Sequence, residues 1–258
     1  MSNPLMRTML RERRGDQLDV GRNPIEQGSR LTRGKVASSS LIALGIVAVF
    51  AAGTYMLGMS NPGLASLLNI IGVGGIFVTA LLSAFMRKWR NGSFIATALL
   101  SMFEGLMAGG FTFTVGNYMV TGVPVSSIIT QALIGTAALF SVALFLYSSG
   151  MIRVTSKFRS FMFIAVSGMA VAYGINLLIT LFTGTNLLLA EGPIPIIIGL
   201  VAIVLGTLSL VTSFDDADAM IASAAPEPTK WAMASAIMVD VVWLYMEIFR
   251  VIALINRS

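Results

Sequence analysis

The sequence predicts an all-α integral membrane protein with seven membrane-crossing helices. Three observations carry that. The chain is 56% hydrophobic and only 11% charged, where soluble domains are typically near a quarter charged, and its mean hydropathy is +0.85. Seven apolar runs are each long enough to cross roughly 30 Å of hydrocarbon as a helix. Their length and lack of strict alternation argue against a β-barrel.

The first 38 residues are polar and basic. They hold Arg7, Arg11, Arg13, Arg14, Arg22, Arg30, Arg33 and Lys35, diluted by Glu12, Asp16, Asp19 and Glu26. Residues 1–38 are expected to be a poorly ordered cytoplasmic tail, and 39–258 the seven-helix transmembrane domain. The apolar run begins too late for a signal peptide, and no small-residue cleavage site follows it. Contact with anionic lipid suits the tail. Nucleic acid is not expected as a partner, because no aromatic residues interleave the basic ones.

The expected spans are Ser39–Leu57, Leu64–Met86, Gly92–Gly116, Val125–Tyr147, Phe158–Phe182, Ile194–Ala222 and Lys230–Ile255. Arg87, Lys88 and Arg90 follow the second run, and Arg153, Lys157 and Arg159 lie between the fourth and fifth. The intervening loops carry no charge or only Glu191. Placing the amino terminus in the cytoplasm therefore puts every basic loop there too. Glycines within the spans, such as Gly105 and Gly109, allow helix backbones to approach closely. The sixteen methionines are packing or lipid-facing residues.

There is no Cys and no His. Disulfides, thiolate metal sites and imidazole chemistry are excluded, and any pH response falls to carboxylates. Ionisable groups within the spans are few: Glu104, Asp215, Asp216, Asp218, Asp240, Glu247 and Arg250, with Arg87 at a helix end. Such groups are costly in hydrocarbon and should face the protein interior or a water-filled path. Asp240, Trp243, Glu247 and Arg250 fall on one stripe of the last helix. Glu247 and Arg250, three apart, suit an ion pair.

The sixth and seventh spans form a hairpin whose turn is marked by Pro226-Glu227-Pro228. With the turn centred near Glu227 or Pro228, Asp240 lies at the depth of Asp215 or Asp216. Two carboxylates brought together in a low dielectric cannot both ionise cheaply, so such a pair is expected to share a proton. Asp218 reads as a solvated loop-edge residue.

Sharper motifs fail. Asp216-x-Asp218 begins like a calcium loop, but Ile221 stands where glycine is required. Gly72-Val73-Gly74-Gly75 lacks the strand context of a dinucleotide site. Residues 237–239, before Asp240, lack the glycine-flanked context expected of an intramembrane aspartyl protease. No phosphate loop or serine-nucleophile elbow is present, and nothing looks catalytic, so no enzyme activity and no cofactor are expected.

From Ser39 to Leu254 the chain resembles the Bax inhibitor-1 (transmembrane Bax-inhibitor-motif) family, most closely its bacterial branch. The resemblance rests on Ser213-Phe214-Asp215-Asp216, the proline-containing turn, Val239-Asp240, Trp243-Leu244-Tyr245 and Arg250, with Phe103-Glu104-Gly105 and Phe85-Met86-Arg87. It implies a two-layer bundle around the C-terminal helix. It also implies a pH-sensitive calcium leak gated by a diaspartyl pair, Asp240 with Asp215 or Asp216, onto which Arg87 latches. Ca²⁺ is then the transported ion, with Asp215, Asp216 and Asp240 as its candidate oxygen ligands and Glu104 lining or bracing the route. The rival expectation is a regulatory protein that modulates a partner membrane protease or a stress response without conducting.

Overall fold

A computed structural model describes residues 30–85 and 92–257. Among these residues the chain forms seven long helices: α1 (Arg33–Ser60), α2 (Pro62–Phe85), α3 (Phe94–Met119), α4 (Val125–Ser148), α5 (Ser156–Thr183), α6 (Pro193–Ala222) and α7 (Thr229–Ile255). A single 3₁₀ turn, Leu187–Leu189, joins α5 to α6. Side chains cap three of the long helices at their starts. Thr32 accepts from the Lys35 amide, Ser93 from Ala96 and Thr155 from Phe158. Gly184, at φ +74°, closes α5 in a conformation that other residues rarely adopt.

α1 to α6 are long and apolar enough to cross a membrane. α7 is not, on composition, although the sequence predicts a span there. Its 27 residues carry Lys230, Asp240, Glu247 and Arg250. The reason is its place: α7 packs against α1, α3, α4 and α6 at the centre of the bundle, so its surroundings are protein rather than lipid. α2 packs on α3 and α1, and α5 on α6, at the periphery. Large apolar side chains such as Phe163 and Phe182 stand fully outward there, as a lipid-facing surface requires.

Close approach of α1 and α3 depends on glycine. A Cβ at Gly105 would come within 2.7 Å of the Val47 carbonyl oxygen, and one at Gly109 would overlap the Ala51 backbone. The core has three apolar clusters, all touching α7: Leu210, Val211 and Leu244; Ile128, Ile248 and Phe249; and Val47, Ala108, Met238 and Val242.

The first helix begins at Arg33, six residues before the expected Ser39. The segment ahead of it is folded onto the α6–α7 turn. Leu31 is buried, its amide donates to the Ala225 carbonyl (3.1 Å), and Arg30 bridges Pro226. The expected tail residues 1–29, and Arg87 with Lys88 and Arg90, lie outside the described residues.

Candidate functional site

A seam of polar groups runs along the contact between α6 and α7. At its middle is Asp240, 6% exposed. Its Oδ1 accepts from Ser209 Oγ (2.7 Å) and its Oδ2 from Ser213 Oγ (2.5 Å). The two serines are four apart on α6 and so share one face. Both carboxylate oxygens are thereby partnered within a buried helix contact, which an ionised group there requires.

The structure does not bring Asp240 to Asp215 or Asp216. Opposite Asp240 lie residues 209 and 213. α6 ends at Ala222, and the chain reverses through Ala224, which takes a left-handed φ of 52°. The reversal is therefore centred earlier than the two prolines suggest. That shifts the hairpin register by about one helical turn's worth of pairing. Asp215 and Asp216 instead rotate toward α5, where Arg159 bonds both, NH2 to Asp215 and NH1 to Asp216. Among the described residues no three acidic side chains gather as a metal site. Asp215, Asp216 and Asp240 thus do not form one ligand set.

Near the same end, Asp218 is not merely solvated. Arg33 binds it through two bonds (2.8 and 2.7 Å), and the Tyr147 hydroxyl donates to it at 2.5 Å. Lys35 Nζ reaches Glu227 at 2.9 Å and Lys230 reaches it at 2.7 Å. Those two ammonium groups, Lys230 first, hold the Glu227 carboxyl below the usual carboxylate range.

Two turns beyond Asp240, the Glu247–Arg250 pair forms as expected and is buried, 5% and 3% exposed. Tyr173 on α5 completes it: its hydroxyl donates to Glu247 Oε1 at 2.8 Å, and the Arg250 guanidinium lies 5.5 Å from its ring centre.

Glu104 is buried on the stripe of α3 that faces α7. That stripe is bracketed by Thr97, bonded to the Trp231 carbonyl (2.9 Å) and Ser235 (2.8 Å), and by Thr112, bonded to the Tyr245 hydroxyl (3.1 Å). Since α3 and α7 run parallel through those contacts, Glu104 lies near the depth of Asp240, at a different contact of α7.

Sequence reasoning singled out Asp215, Asp216, Asp240, Glu247 and Arg250 but missed the roles of four residues that bind them. Ser209 and Ser213 carried a signal, two hydroxyls at helical spacing on an apolar helix. Tyr173 carried none. Arg159 was legible only as a loop charge that sets orientation. A family model described as Bax inhibitor 1 like matches residues 3–257. Among curated proteins none matches the chain.

Proposed function

The chain belongs to the Bax inhibitor 1-like family, and we propose that it is a proton-modulated, passive cation pathway in the cell membrane, for Ca²⁺ first, with its amino terminus in the cytoplasm. The observation that carries this is Asp240: a carboxylate buried at mid-helix, suspended between two hydroxyls of the neighbouring helix. When ionised it accepts from both serines. When it takes up a proton, one oxygen becomes a donor and a poorer acceptor, and the bond it accepts weakens or reverses. The packing of α6 on α7 then has two electrostatic states, which is what a pH-sensitive gate needs.

The mouth of the route is the Arg159 clamp. Asp215 and Asp216 side by side offer the oxygen ligands that Ca²⁺ prefers, and Arg159 binds both and offsets one of their two charges in the closed arrangement. An entering cation displaces the guanidinium and takes its place. A single weak site of this sort admits an ion and releases it. In this reading the gate is a clamp plus a serine-held sensor, rather than two aspartates sharing one proton.

The test is calcium entry into dye-loaded liposomes holding the purified protein, between about pH 5 and 8, wild type beside Asp240→Asn. Flux that varies with pH in the wild type and not in the variant is expected. No flux at any pH would replace this reading with the rival one, a regulator of a partner membrane protein.

A further inference from the structure

Away from the polar seam, a cleft of about 470 Å³ lies between α1 and α4. α3 and α7 form its floor, through Gly109, Thr112, Val242 and Tyr245 among others, and α1 and α4 form its walls with at most slight contact between them. We propose that this cleft is a binding site for one hydrocarbon chain of a membrane lipid.

Four observations lead there. The lining is almost wholly apolar, so water gains little by entering. Most of its polar groups are already satisfied by the protein: Thr136 donates to the Ala132 carbonyl (2.8 Å), and Thr112 and Tyr245 bond each other (3.1 Å). The guest therefore needs no hydrogen-bonding groups along its length. The cleft opens sideways between two membrane-crossing helices, where Met56 and Leu133 stand exposed. On α1 its lining runs from Leu44 to Met56, a rise of about 18 Å, against about 15 Å for half of the hydrocarbon core. A chain from the leaflet at the α1 C-terminal end fits that length.

Occupancy has a consequence for the bundle. The guest would touch Val241, Val242 and Tyr245 of α7, beside Asp240, and would bridge α1 to α4 across their gap. The inference stands apart from the conduction reading, because it uses none of the charged residues.

The probe is a phosphatidylcholine with a photoreactive diazirine in one acyl chain, doped into phosphatidylcholine vesicles that hold the full chain. The vesicles are extracted into detergent and washed before photolysis, and adducts are then mapped by mass spectrometry. We expect adducts on 44–56 and 129–136, where lipid is retained, and few on the exposed α5 face around Phe163, from which lipid is washed away. Filling the cleft with Ala48→Phe and Ala52→Phe should reduce cleft labelling to the level of that α5 face. Equal labelling of both faces in the wild type would mean annular lipid only and overturns the proposal. Because the chain has no cysteine, Ala52→Cys gives an independent reading if the filled variant does not fold. Slow reaction with a membrane-impermeant thiol reagent supports a lipid-filled cleft, and reaction as fast as at Ser60→Cys shows a water-filled one and overturns it.

Discussion

Ser213 Oγ donates to Asp240 Oδ2 at 2.5 Å, one helical turn along α6 from the Ser209 donation to Oδ1. The carboxylate is thus tied to one face of one helix. A hydrogen bond to a charged group contributes about 1.5–3 kcal/mol. Ser213→Ala should lower the stability of the detergent-solubilised protein by an amount in that range. In an Asp240→Asn background the same change should cost clearly less, since the charge is gone. A double-mutant cycle from thermal melts measures the coupling. Additive effects would show that the serines do not hold Asp240.

Arg159 spans two adjacent carboxylates, a geometry that suits a planar guanidinium and not an ammonium. Arg159→Gln leaves Asp215 and Asp216 uncompensated. In the liposome assay, calcium flux at neutral pH should rise several-fold above wild type. Arg159→Lys should behave more like Arg159→Gln than like wild type. If Arg159→Gln conducts no more than wild type, the clamp does not hold the route shut.

How much of this was legible in the sequence differs by element. The seven helices follow from apolar runs, and their ends agree closely because the loops between them are short and marked by Gly, Pro, Ser or Thr. The exception is α1, which starts at Arg33 rather than Ser39. Its first turn is polar, and the contacts of Arg33 with Asp218 and Lys35 with Glu227, which no local pattern announces, help to hold it in place. Asp240 announces itself as an acid within an apolar helix. Its partners do not, because the prolines suggest a later turn centre while the chain reverses earlier, at Ala224. Arg159 needed the third dimension: nothing within α5 says that it faces α6.

The strap ahead of α1 should be acid-sensitive. Glu227 is held below its ordinary value by Lys230 and Lys35, so its contribution is present above about pH 4.3, the unfolded carboxyl's range, and is lost as pH falls through the lowered folded value. Hydrogen exchange at Leu31, whose amide is bonded to Ala225, reports the docking. Protection should persist at neutral pH and fall below about pH 4. Glu227→Gln should lower protection at neutral pH and remove that acid step. An acid step unchanged in Glu227→Gln would assign it to Asp218 instead.

The Glu247–Arg250–Tyr173 group separates a structural pair from a second sensor. Removing one partner of a buried ion pair leaves an uncompensated charge and costs about 3–5 kcal/mol, whereas replacing both with apolar residues is often close to neutral. Arg250→Leu alone should therefore lower the melting temperature sharply. The double change Glu247→Leu with Arg250→Leu should recover most of that loss, because neither charge is then left in the core. Tyr173→Phe removes the bond to Glu247 (2.8 Å) but keeps the ring beside the guanidinium, so its effect should be smaller than that of Arg250→Leu. The flux assay then divides the two roles. If the double variant folds and keeps its pH response, the sensing does not need the pair, which is then a brace between α7 and α5. Loss of the pH response in a folded double variant would extend the sensor along the whole stripe of α7.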